Sequence, residues 1–271
     1  MILSSITFTA PGGASINLGS LTASGGDLYG YTLGDFSINP APVPTYNTNL
    51  PLISGGVVVP THRAIRTVRV SGMIVARTPN EANQLRREMI AVLREHLGDS
   101  ITVGWTVEDE PRELEASIIG EVSFEPAGGY NIYYEAELLA ADPVAYSTTP
   151  STGTTSTAPG TEMINNGDAD VWPVITVTFT GAVTGVRVGS TTIGRFIEVG
   201  SLTTTTGDEL VIVTKPGYES VELNGAPVMD KIAVASRFWY LKPGTNQVYH
   251  TVTSGTGSVT GAVAWNDGWV S

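Results

Sequence analysis

Apolar and polar residues alternate with a period of two along most of this chain, as they do in half-buried β-strands. Arg66–Val75 places Val68, Val70 and Ile74 on one face and Thr67, Arg69 and Ser71 on the other, with Gly72 marking a bulge or a close backbone contact. Ile101–Val107 turns Ile101, Val103 and Trp105 inward. Leu114–Phe124 reads as one long strand, with Leu114, Ala116, Ile118, Val122 and Phe124 inward and Glu113, Glu115, Ser117, Glu121 and Ser123 outward. Ile132, Tyr134, Ala136, Leu138 and Ala140 repeat the pattern, so Arg112–Ala140 is expected to be a long antiparallel hairpin turned at Pro126–Gly129. Ile2–Phe8 is a weaker opening strand, and Ile16–Tyr31 holds a Gly-rich pair.

One stretch changes period. Pro79–Leu97 carries Ala82, Leu85, Met89, Val92, Leu93 and His96 at helical spacing, a single buried stripe. Thr78, Pro79 and Glu81 form a helix start of the capping-box type, and Gly98 ends the pattern. Arg86, Arg87 and Arg94 fall off the stripe. They either meet an acidic partner or form a solvated face paired with Glu88 and Glu95.

A compositional break at Ala141–Pro173 divides the chain. Ser147–Thr161 is Ser, Thr, Gly and Pro, and reads as a linker. The expected organisation is a first domain over 1–146, a linker over 147–161 and a second domain over 162–271. Beyond Trp172-Pro173, short strands recur at Ile175–Phe179, Val183–Val188, Arg195–Val199, Glu209–Thr214, Ser220–Leu223, Arg237–Leu241, Gln247–Thr253 and Gly257–Trp265. Asn224-Gly225 signals a type I′ hairpin turn. The fold class is mainly β: a sheet-rich domain with one helix packed on it, then a β-sandwich or jelly roll. In the first domain, Leu50–Pro60 reads as two apolar arms around Ser54-Gly55-Gly56, with Leu50, Leu52, Ile53, Val57 and Val58 as its contact residues. It is either an arm that reaches a neighbour or a loop packed on its own domain.

Composition narrows the function. The chain has no cysteine, which excludes disulfides and zinc–thiolate sites, and a formal net charge of −12 spread over both halves. That charge argues against gripping a phosphate backbone. No secretion signal or membrane span is expected. His62, His96 and His250 lack metal spacing, and no nucleotide loop, nucleophile elbow or zinc-protease motif is present. Glu108-Asp109-Glu110 reads as an acidic turn rather than a glycosidase pair, and Asn166, Asp168 and Asp170 as a turn rather than a calcium loop. No enzyme activity, cofactor or metal is expected. Trp265 and Trp269, around Asn266-Asp267-Gly268, are candidate sugar-stacking rings for an alternative reading as a carbohydrate-binding, host-attachment protein.

Taken in order, several elements resemble siphophage distal tail proteins. They are Arg66–Gly72 before a short helix, Ala140-Ala141-Asp142-Pro143-Val144-Ala145-Tyr146, Asn165-Asn166-Gly167 with Trp172-Pro173-Val174-Ile175, Leu223-Asn224-Gly225, and Phe238–Asn246. The resemblance implies a non-enzymatic virion protein, made in the host cytoplasm and not secreted. Its first domain would form a hexameric ring and its second would be a galectin-like sandwich. The ring would join the tail tube protein to the tip hub and host-binding apparatus, with the tape measure protein as a further neighbour. DNA would pass through its channel unbound, without membrane insertion.

Overall fold

A computed structural model describes residues 5–24, 27–38, 45–49, 56–60, 65–93 and 100–270. The chain divides into two compact units, Met1–Tyr146 with Val270–Ser271, and Ser147–Trp269.

The first unit contains strands β1 (Ile6–Thr9), β2 (Ser15–Leu18), β3 (Ser20–Ser24), β4 (Asp27–Ile38), β5 (Thr45–Asn49), β6 (Gly56–Pro60) and β7 (Arg66–Val75), then helix α1 (Pro79–Leu93). Strands β8 (Ile101–Val107), β9 (Glu110–Ile118), β10 (Ser123–Gly128) and β11 (Asn131–Ala140) follow. The main path runs β2-β1-β8-β9-β11-β7-β4-β3, with β10 also paired to β11. The alternation decides the core: Val68, Val70, Ile74, Val103, Leu114, Ala136 and Leu138 are buried in one cluster with Leu85, Met89 and Leu93 of α1. The helix lies against β1, β2 and β7.

Thr78 accepts the Glu81 amide at 3.2 Å, as an N-cap should. The Glu81 carboxylate does not close the expected box on Thr78. It takes the Arg77 amide at 2.7 Å and the Arg77 guanidinium at 2.7 Å instead. Residues 94–97 of the expected helix, with Arg94 and His96, lie outside the described residues.

Two expectations for the first unit need correction. Leu114–Phe124 is two strands. The Ile119 amide donates to the Glu137 carbonyl, Gly120 has φ +77°, and pairing with β11 resumes at Ser123↔Glu135. The inward positions stay in phase across the interruption, so the sequence reads as continuous. The hairpin around Gly56 is also differently built. β6 pairs with the polar Thr45–Asn49 strand, in the register Asn49↔Gly56. Leu50, Leu52 and Ile53 lie outside the described residues. Val57 and Val58 belong to β6.

Strand β12 (Ala145–Ser147) spans the boundary. The second unit then contains β13 (Ser151–Thr155), β14 (Thr161–Asn165), β15 (Val174–Thr180), β16 (Val183–Ser190), β17 (Arg195–Val199), β18 (Glu209–Val213), β19 (Ser220–Leu223), β20 (Ala226–Pro227), β21 (Gly244–Gly255), β22 (Ser258–Trp265) and β23 (Gly268–Trp269). Two sheets, ordered β13-β22-β15-β18-β19-β20 and β14-β21-β16-β17, bury Ile175, Val177, Phe179, Val186, Val188 and Ile212. The chain is mainly β, as expected. Asn224 and Gly225 both have positive φ, and Leu223 pairs with Ala226, which is the type I′ turn that Asn-Gly favours. Asn224 clasps the turn to the β17–β18 connection: its amide donates to Asp208 at 2.8 Å and its oxygen accepts the Glu209 amide.

The stretch expected to be a linker is not one. Ser151–Thr155 is an edge strand in register with β22, from Ser151↔Trp265 to Thr155↔Gly261. Threonine's branched Cβ suits a pleated surface, and an edge strand can form with few apolar residues. Arg237–Leu241 fails the other way. It is irregular, held by the Arg237 amide on the Phe196 carbonyl and by reciprocal bonds between Leu241 and Val171.

Candidate interaction surfaces

Among the described residues no group of three or more His, Asp or Glu could hold a metal ion. His250 shares a 2.6 Å hydrogen bond with the Thr155 hydroxyl, both side chains being buried, and burial depresses its pKa. Glu108 and Asp109 form a two-residue hairpin turn, with φ +50° and +68° and Val107↔Glu110 closing it. His62 lies outside the described residues.

The tryptophans do not offer a sugar platform. Trp265 and Trp269 are 6% and 7% exposed, and Trp265 spends its indole N–H on Asp267 at 2.9 Å. A buried ring has no face to give to a sugar. Trp105 is core, as expected.

The surfaces of the first unit are more informative. On α1, Arg86 and Arg87 are exposed, and among the described residues neither makes an ion pair. Glu88 pairs with neither; it accepts the Gln84 amide at 2.9 Å and the Tyr31 hydroxyl at 3.5 Å. Arg86 instead lies 5.0 Å over the ring of Phe124. On β9, Glu113 and Glu115 face outward. Glu115 accepts the hydroxyls of Ser100 and Thr102, and desolvation, then the neighbouring Glu115 charge, raises the Glu113 pKa. Strands β10 and β11 pair Phe124 with Tyr134 on the core side and Glu125 with Tyr133 on the solvent side. Beside them, Arg69 and Glu137 form an exposed ion pair at 3.1 Å.

The quoted sequence elements turn out to be closed turns. In the first unit, Asp142 accepts the Val144 amide at 3.1 Å and the Tyr146 hydroxyl at 3.0 Å. Arg66, 2% exposed, donates to the Pro143 carbonyl at 3.0 Å. In the second unit, Asn165 is buried, donates to the Ala169 carbonyl at 2.7 Å and accepts the Gly167 amide. A side chain on Gly167 would overlap the Gly268 carbonyl. Asp267 gathers the far ends: its carboxylate accepts Asn166 as well as Trp265, and its amide donates to the Ser147 hydroxyl. Asn266 donates to the Ser147 carbonyl at 2.6 Å.

Residues 166–269 match the family described as siphovirus-type tail component, C-terminal domain. The second unit is thus similar to a siphovirus-type tail component domain. A comparison with curated protein sequences finds no significant match. Among solved structures, the Dit protein (gp 19.1) of phage SPP1 shares the fold with a TM-score of 0.68 at 16% identity, over 96% of this chain and 98% of that one. A chain of the phage P2 baseplate in its activated conformation is a more distant likeness, with a TM-score of 0.44 at 12% identity over 98% of each. The resemblance to siphophage distal tail proteins therefore holds.

Within the tail component domain, the remaining sequence element has the same physical character. Asn246, fully buried, accepts the Lys242 amide and donates to the carbonyls of Lys242 and Gly244. These Asn residues take the roles of missing backbone partners in turns. Sequence reading picked out most of these positions but missed what Asp267 and Arg66 do. Asp267 stood between two tryptophans, and its ring partner suggested stacking. Arg66 opened an alternating strand, where a buried arginine is rare.

Proposed function

We propose that this chain is a structural component of the distal end of a long non-contractile phage tail, where six copies form a ring that joins the tail tube to the tip hub and leaves a channel for DNA. The observation that carries the reading is the likeness of fold over nearly the whole chain to SPP1 Dit, described as part of a hub adsorption apparatus in phages infecting Gram-positive hosts, together with the tail component domain. The chemistry is consistent with it. The polar groups that distinguish the chain close its own turns.

The outer face of β8 and β9 suits a channel wall. It offers Thr102 and Thr106 with Glu113 and Glu115. Carboxylates and hydroxyls repel or slide past a polyanion, whereas exposed arginines would hold it. Among the described residues the β5–β6 hairpin pairs with no other strand, and it is a candidate for contact between copies.

Light scattering and electron microscopy of the purified chain at high concentration test the reading. A closed six-fold particle with a central hole is expected. Dimers or open filaments would refute the ring, and a basic channel wall would refute the DNA-passage reading.

A further inference from the structure

The outer face of the first unit holds a cavity of about 390 Å³ that no turn or core contact uses. Its floor includes Gly34, Ser71 and Gly72, and its rim Tyr133, Glu125 and Glu135. The depression has a sequence cause. Gly34 is an extra residue in β4, where the register with β7 shifts between Leu33 and Asp35, and it has no side chain to fill the space. Cross-strand pairing then sets Glu125 beside Tyr133 and Glu135 beside Ser71. Tyr133 is 54% exposed, large for an aromatic ring with no partner ring. An aromatic face between two carboxylates over a small-residue floor is shaped for a planar cation, which stacks on the ring and is hydrogen-bonded by the acids.

The same unit carries its complement. Arg86 and Arg87 of α1 are exposed and make no ion pair among the described residues, in a chain whose net charge is −12. They lie on the opposite side of the sheet. Phe124, under Arg86, and Tyr134 face the core, so their strand neighbours Glu125, Tyr133 and Glu135 face away from it. A cationic surface and its receptor on opposite sides of one unit cannot meet within one copy. They meet between copies arranged head to tail, the contact type that generates rings.

We propose that the Gly34–Gly72 cavity of one copy receives the Arg86–Arg87 face of α1 from a second copy. This contact rests on the ring reading and names the surface that closes it. Its strength falls as salt rises, because both partners are exposed charges.

The test uses two full-length variants and their mixture. One reverses the helix, Arg86→Glu with Arg87→Glu. The other reverses the cavity, Glu125→Arg with Glu135→Arg. Each alone sets like charge against like charge and is expected to lose at least tenfold in self-association by sedimentation. Mixed in equal amounts, they restore attraction at every junction of an alternating ring, and six is even. Recovery in the mixture also shows that both variants are folded. Undiminished association of either variant alone, or no recovery on mixing, overturns the contact and leaves a wild-type ring standing. Failure of the wild-type chain to associate even at about 1 mM, the limit of weak binding near −4 kcal/mol, removes both contact and ring.

Discussion

The hydroxyl of Tyr134 donates to the Thr32 carbonyl at 2.6 Å, passing over Gly72, where a methyl group would overlap both partners. Three strands are thereby keyed together at one point, since Thr32 is on β4, Gly72 on β7 and Tyr134 on β11. Gly72→Ala should destabilise the first unit by about 1–3 kcal/mol, the usual cost of forcing volume into a packed site. Tyr134→Phe, which removes only the hydrogen bond, should cost about 1 kcal/mol. Urea unfolding of the two variants checks the order. Equal losses would mean that the glycine is not there to make room for the hydroxyl.

The β8–β9 turn is built from residues ill suited to it. Glu108 and Asp109 both sit in left-handed backbone, which costs a non-glycine residue roughly 1–2 kcal/mol. Glu108→Asn with Asp109→Gly supplies the residues that a type I′ turn favours and should raise stability by about 1–2 kcal/mol. The melting temperature checks it, and a fall would show that this acidic pair has favourable contacts that its backbone conceals.

Asp267 is the shared acceptor of Trp265 and Asn166. Asp267→Ala leaves the buried Trp265 donor without its acceptor inside the second unit, at about 1–3 kcal/mol, whereas the exposed Asn166 amide can turn to water. Partial exposure of Trp265 should shift its fluorescence to longer wavelength before global unfolding. An unchanged spectrum with unchanged stability would contradict the shared-acceptor role.

His250 makes a prediction about pH. Its pKa in the folded chain is lowered by burial, so the unfolded chain binds a proton more readily. Its contribution to stability is complete above the unfolded value, near 6.5, and is lost as pH falls through the folded value. Urea midpoints should therefore drop between pH 8 and pH 5, and His250→Gln should flatten that drop. A parallel pH profile in the variant would assign the effect to other groups.

The elements that sequence revealed best were those where one face is buried and one is wet. β7, β9 and β11 show this, because Val68, Leu114 and Ala136 are each flanked by polar neighbours. The stripe of α1 was legible for the same reason. Ser151–Thr155 was not, because an edge strand rich in threonine lacks the apolar signal although its backbone pairs fully with β22. The break at Gly120 was hidden by the unbroken phase of its neighbours. Neither half of the proposed contact was readable as a pair. Arg86 and Arg87 stood out as off-stripe cations, but the cavity that complements them depends on an extra residue at Gly34 and on registers among four strands.

The Asn224-Gly225 turn has a consequence for the lifetime of the protein. Deamidation of an Asn-Gly step converts the side-chain amide to a carboxylate, and that amide is the group that donates to Asp208. The new acid would face an old one across 2.8 Å, turning a clasp into a repulsion. Because the hydrogen bond from the Thr205 backbone amide still favours the ionised form of Asp208, protonation would not relieve the repulsion at neutral pH. Chemical ageing would therefore begin to loosen this protein at the β19–β20 turn, long before its core is touched.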